Sequence, residues 1–276
     1  MRYTRALVAV SFVLILVSCK KEHGPLPGEP PVGAPKHILL KDIIIPHLPS
    51  PFYHFEYNSD SLVNKVDFSS GFTIYDVIYS GDRIAEMRNN IFVNHDTLRY
   101  SYDQAGRVTL IKFINDENVV FRRVLFTYSG NQIQQIEWDH MTASGDFLID
   151  RKVSFAFFPD GNLKTMTDHR LFPAGTPEHS YITTFEQYDN KINVDDFSLV
   201  HDGIHDHLFL LQGFRLQKNN PGKETFSVDG VTFYTESYTY TSNGDNTPST
   251  KIGDFVYASG PDAGKRFETS TFYTYY

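Results

Sequence analysis

Tyr100-Ser101-Tyr102-Asp103-Gln104-Ala105-Gly106-Arg107-Val108 is the stretch on which the fold turns. Its tyrosines alternate with a small polar residue, the period of a strand with one packed face. Asp103 to Gly106 are turn formers, and Val108 opens an aliphatic return strand. The segment therefore reads as one β-hairpin. The same order recurs outward on both sides. Phe55-Glu56-Tyr57 precedes Val63, and Val77-Ile78-Tyr79-Ser80-Gly81 precedes Ile84. Phe126-Thr127-Tyr128-Ser129-Gly130 precedes Ile133, and Phe155-Ala156-Phe157 precedes Asp160-Gly161-Asn162-Leu163. The anchors Tyr57, Tyr79, Tyr102, Tyr128 and Phe157 lie 22, 23, 26 and 29 residues apart. That drift suits hairpins with outer loops of varying length, not a strict solenoid. Gly81, Gly106, Gly130 and Gly161 fall in the turns, where a positive φ costs glycine little.

A degenerate copy starts at Tyr181 and turns through Tyr188-Asp189-Asn190-Lys191-Ile192-Asn193. The pattern then breaks. Residues 195–211 are rich in acids and histidines, then in leucines, and read as a long polar crossover loop with one helical turn. Lys218-Asn219-Asn220-Pro221-Gly222 is a strong turn signal. Strands resume at Thr225–Val228, Val231–Thr241, Phe255–Ala258 and Phe267–Tyr276. The expected fold is one all-β domain over residues 51–276, an antiparallel meander curled or closed into a barrel-like sheet.

The chain begins differently. Arg2 and Arg5 precede an apolar run from Ala6 to Val17, too short to span a hydrocarbon core and of the size of a signal-peptide core. Leu16-Val17-Ser18-Cys19 matches the bacterial lipobox, so residues 1–18 are expected to be removed and Cys19 acylated, anchoring the chain to a membrane of the cell envelope, the outer membrane by preference. Residues 19–50 read as a tether, since Pro25, Pro27, Pro30, Pro31 and Pro35 alternate with Gly24, Gly28 and Gly33. Cys19 is the sole cysteine, so no disulfide supports the fold. Loss of Arg2 and Arg5 takes the 25 basic residues to 23 against 33 acidic ones, a formal charge of −10. That balance argues against nucleic acid as a partner.

The repeated units resemble degenerate tyrosine–aspartate (YD/RHS-type) repeats, most clearly at Tyr102-Asp103-Gln104-Ala105-Gly106-Arg107-Val108 and Tyr188-Asp189-Asn190-Lys191. Taken with the lipobox and Lys218-Asn219-Asn220-Pro221, the layout resembles a family of Bacteroidota lipoproteins with a porin-like fold, over roughly residues 50–276. The fifth copy departs, carrying Phe157-Phe158-Pro159 where the repeat has Tyr-Asp. The resemblance implies a fold and an envelope location, and neither catalytic residues nor a cofactor.

A transmembrane barrel needs an unbroken apolar lipid face on every strand. Glu86, Arg88, Lys112, Arg122, Arg123, Glu137, Lys152 and Lys164 interrupt the strands, and adjacent Arg122 and Arg123 put charge on both parities. A water-exposed closed sheet is the better expectation. His201, His205 and His207, preceded by Asp195 and Asp196, form the densest set of metal-ligand residue types. They share parity, but Gly203 interrupts the segment and no HExxH pattern is present, so a solvent-facing loop without bound zinc is expected. Asp103, Asp160 and Asp189 sit in turns, where a carboxylate bonds its own backbone, so no glycosidase pair is read from them. The anchor aromatics are expected to fill the sheet interior as cross-strand pairs. Alternatively, some tyrosines with Trp138 face outward as a stacking platform. Three functions follow: a non-enzymatic binding or structural module of the envelope, a glycan- or peptide-capturing accessory of an outer-membrane uptake system, and a metal-dependent hydrolase using His201–His207.

Overall fold

The computed structural model describes residues 38–91, 95–171, 179–201 and 214–276. These form a closed, wholly antiparallel barrel of 16 strands. The first eight are β1 (Leu40–Ile44), β2 (Tyr53–Tyr57), β3 (Val63–Phe68), β4 (Thr73–Ser80), β5 (Arg83–Asn89), β6 (Thr97–Tyr102), β7 (Val108–Ile114) and β8 (Val120–Ser129). The rest are β9 (Gln132–Met141), β10 (Phe147–Phe157), β11 (Leu163–Arg170), β12 (His179–Glu186), β13 (Lys223–Val228), β14 (Val231–Ser242), β15 (Pro248–Tyr257) and β16 (Arg266–Tyr275). Each strand pairs with its sequence neighbours, and β1 closes the ring on β16 with Ile43 opposite Tyr273. The sheet therefore starts at Leu40, inside the stretch expected to be tether. Leu40 and Ile43 turn inward and are buried, and Asp42 faces out to accept from His54 and Thr274.

Burial alternates along the strands as the period-two pattern demands. In β4, Thr73, Tyr75 and Val77 point into the lumen while Ile74, Asp76 and Ile78 face out. The inner face of the first nine strands is mainly apolar, with Val66, Tyr75, Met87, Leu98, Ile111, Val124, Ile136 and Trp138 fully buried. The outer wall is crossed by ion pairs between adjacent strands. Arg99 meets Glu86 at 3.0 Å, Arg123 meets Asp139 at 2.5 Å and Lys152 meets Glu137 at 2.7 Å. An Arg or Lys on a lipid face near the bilayer midplane costs about 2–4 kcal/mol, so these pairs favour water over lipid against this wall.

Tight turns join β2–β3, β4–β5, β6–β7, β8–β9, β10–β11 and β14–β15 at one end, here called the hairpin end; the opposite end is the mouth. Gly106 and Gly161 take φ of +83° and +88° in these turns. Asp103, Asp160 and Asp189 each accept from a backbone N–H of their own turn, at 2.8–2.9 Å. The anchor tyrosines do something less expected. Each reaches back from the end of its strand to the carbonyl that opens an earlier one. Tyr57 donates to the Leu40 carbonyl, Tyr79 to Val63, Tyr102 to Ile84 and Tyr128 to Val108, all at 2.8–2.9 Å. Tyr188, Tyr240 and Tyr275 repeat the bond to Leu163, Pro221 and Pro248. Successive hairpins are thus stitched by hydroxyls on the inner side of the hairpin end.

The described parts of the connection between β12 and β13, residues 195–201 and 214–217, pack inside the barrel. Residues 195–201 were expected to be a solvent-facing crossover. Instead a 3-10 turn at Asp196–Val200 buries Phe197 against the rings of Tyr53 and Phe55, at 5.2 and 5.7 Å. On the return, Phe214 stacks on Phe126 at 5.0 Å and the Leu216 carbonyl accepts from Leu163 N–H. The physical reason is volume: sixteen strands enclose more space than their own side chains fill, and this segment carries the apolar residues to fill it.

Candidate functional site

Beside the plug, against β10–β14, lies a cavity of about 420 Å³. Arg151, Asp168 and Arg170 form one wall, Glu224 and Tyr234 another, with Tyr181, Thr183 and Phe226 between them and His201 at the plug side. The period-two alternation of β10 to β14 sets all of these strand residues on the lumenal face. The volume falls in the range of small-ligand sites.

On the first wall Asp168 is held by two arginines. Arg151 grips it in a fork, Nε to Oδ1 at 3.0 Å and Nη2 to Oδ2 at 2.9 Å, and Nη2 also donates to the Val200 carbonyl of the plug. The Arg151 guanidinium lies 4.5 Å from the Trp138 ring centre. Arg170 donates to the same Oδ2 at 3.2 Å and covers the Tyr181 ring at 5.6 Å.

The second wall is acidic and phenolic. Glu224 accepts from Tyr234 at 2.7 Å and from Tyr238 at 3.1 Å, while Tyr238 also stands 3.0 Å from Glu236. One hydroxyl proton cannot serve both carboxyls, so one of them must be protonated for both contacts to be hydrogen bonds. Burial pushes the Glu224 carboxyl up from its ordinary range, with Glu236 adding to the effect, against the lowering by the Tyr234 hydroxyl and the Lys251 cation. Thr269 donates to Glu236 beneath the backbone of Gly253, whose missing side chain leaves room for that bond.

From Tyr181 a ladder of rings runs across five strands on the lumenal face. Neighbouring centroids along Tyr181, Phe226, Tyr234, Phe255 and Phe267 are 6.1, 5.0, 4.5 and 4.5 Å apart, with planes within 29° of parallel. The ladder ends in the open: Phe267 is 45 % exposed at the mouth.

The sequence-predicted residues divide as follows. His201 stacks edge-on against Phe68 at 5.4 Å and borders the cavity, so it does not sit in a solvent-facing loop. His205, His207 and the lipidation candidate Cys19 lie outside the described residues. Among the described residues no group of three or more His, Cys, Asp or Glu side chains is arranged to hold a metal. Asp195 accepts from Tyr273 at 2.5 Å, and Asp196 accepts from the backbone N–H of Leu216 and Gln217 at 2.7 and 3.2 Å. Both acids anchor the plug. Trp138 is fully buried beneath Arg151 and is no part of an outward platform. Arg151, Asp168, Arg170, Glu224 and Tyr234 were not singled out from sequence. For all but Tyr234 the one local signal was charge on the inward parity of a strand.

No family model and no curated protein matches the chain. Among solved structures, a porin-like protein from Bacteroides uniformis ATCC 8492 superposes with a TM-score of 0.58 at 15 % identity, over 87 % of this chain and 95 % of that one. A porin-like protein from Bacteroides vulgatus ATCC 8482 does so with a TM-score of 0.58 at 16 % identity, over 87 % and 99 %. At this identity the likeness establishes the barrel fold.

Proposed function

We propose that this chain is a non-enzymatic, lipid-anchored barrel of the bacterial envelope that captures a glycan in its mouth-end cavity. The observation that carries the reading is the contrast inside one lumen. Much of the interior is closed by apolar packing, and the cavity against β10–β14 is lined by guanidinium, carboxyl and hydroxyl groups beside stacked aromatic rings. Unfilled polar space in an otherwise packed core costs stability, so its retention points to a ligand. Hydroxyl-rich rings suit such a lining, because they offer donors and acceptors at their edges and C–H faces to aromatic groups. The resemblance to envelope lipoproteins, the lipobox at Cys19 and the porin-like structural neighbours support the location.

The test is a glycan microarray probed with the full mature chain. Retention of a defined class of glycan, lost in a Phe226→Ala/Tyr234→Ala variant that still melts cooperatively, supports the reading. Absence of binding to every glycan, with the variant indistinguishable, refutes it. For the anchor, Cys19→Ser is expected to move the protein from the membrane to the soluble fraction and abolish labelling with a clickable palmitate.

A further inference from the structure

We propose that the cavity is specific for an acidic sugar, whose carboxylate is received by Arg170 and whose hydroxyls are received by Glu224 and Tyr234. This rests on the glycan-binding function above and adds the ligand's charge.

Three observations lead there. First, the arginines outnumber the acid between them. The fork from Arg151 already engages both oxygens of Asp168, so Arg170 is a second cation on a carboxylate whose best geometry is taken. Second, Arg170 faces the cavity. Among the described residues its guanidinium donates through Nη2 to Asp168, and the side chain is 35 % exposed on the cavity wall. A planar carboxylate is the group that an exposed guanidinium edge fits best. Third, the facing wall is built for hydroxyls and not for an ammonium. The Glu224 carboxyl is held toward its neutral form by burial and already accepts from two phenols. It can trade hydrogen bonds with ligand hydroxyls, but it is a weak counter-ion for a fixed cation. A zwitterionic amino acid or peptide terminus is therefore disfavoured. A single spare guanidinium also matches one negative charge better than a phosphate dianion.

The experiment is calorimetric titration of the full mature chain with digalacturonate and with the neutral disaccharide of the same linkage. Digalacturonate is expected to bind at least tenfold more tightly. Arg170→Gln should remove that preference and Arg170→Lys should restore part of it, with thermal melts confirming that both variants fold. Equal affinity for the two disaccharides would overturn the acidic specificity while leaving glycan capture standing. So would an Arg170→Gln protein that keeps the preference. Displacement of digalacturonate by glutamate or inorganic phosphate at equal concentration would also overturn it, by showing that the site reads the anion and not the sugar. Failure of both disaccharides in a chain that also fails the microarray would remove the underlying function and this specificity together.

Discussion

The unit of construction is a single hydroxyl. Each anchor tyrosine closes the gap between two hairpins with one O–H to one carbonyl, a bond worth about 0.5–1.5 kcal/mol. Tyr102→Phe is therefore expected to lower stability by about that amount in denaturant titration. The fifth anchor offers the reverse experiment. Phe157 holds the equivalent place at the end of β10 and has no hydroxyl, so Phe157→Tyr should reach the carbonyl that opens β9 and raise the midpoint; a lower midpoint would show that the stitch is incidental. Burial pushes Tyr79, Tyr102 and Tyr128 up to about 12. Unfolded tyrosine ionises near 10. The stabilisation is thus complete below pH 10 and is lost as pH rises toward 12. Absorbance at 295 nm should show these phenols titrating together with unfolding. Asp196 follows the same sign in the acid range. Burial lifts it from 3.8 to about 6, so the folded chain holds its proton longer and stability falls as pH rises from about 4 to 6. Asp196→Asn keeps an acceptor for Leu216 and Gln217. It is expected to gain on the order of 2–3 kcal/mol at pH 8 and little at pH 4, with Glu224 leaving some slope behind.

At the level of elements, legibility follows sequence distance. The hairpins were readable from Tyr57 to Leu163 because strand, turn and return are contiguous, and turn residues such as Asp103 and Gly106 carry their geometry with them. Two elements were not. β1 is a five-residue strand behind a proline-rich stretch, and its partner β16 lies at the other end of the chain. Nothing local marks it as structural. The plug was misjudged because a loop looks polar from sequence whether it passes over a sheet or through it. Phe197, Val200, Phe214 and Leu216 were the signal, too sparse to have a period. The cavity was hidden for the same reason, since its walls come from five strands far apart in the sequence. These elements predict distinct losses. A fragment starting at Pro51 lacks β1, and should melt at lower temperature and aggregate more readily than one starting at Ile38, because β2 and β16 are left as open edges. Gly253→Ala would drive a methyl group into the Glu236–Thr269 contact, and is expected to destabilise the chain by more than about 1–3 kcal/mol, the range for overpacking a filled site.

For the whole molecule, the wall decides the solvent. Ion pairs such as Arg99–Glu86 and Lys152–Glu137 cross the outer wall, where lipid would penalise them. The Cys19→Ser chain should stay monodisperse without detergent, and a requirement for detergent would mean that the outer face has been misread. The closure of β1 on β16 has a consequence for how the molecule comes into being. Most of the ring can assemble by zipping each new hairpin onto the last, over short separations. The final seam joins residues more than two hundred positions apart, and by the logarithmic cost of loop closure about 5 kcal/mol of chain entropy stands against it until the rest is in place. The nascent protein is consequently a curling ribbon with two live margins. The interval before the seam shuts is when it is most exposed to pairing with another copy of itself.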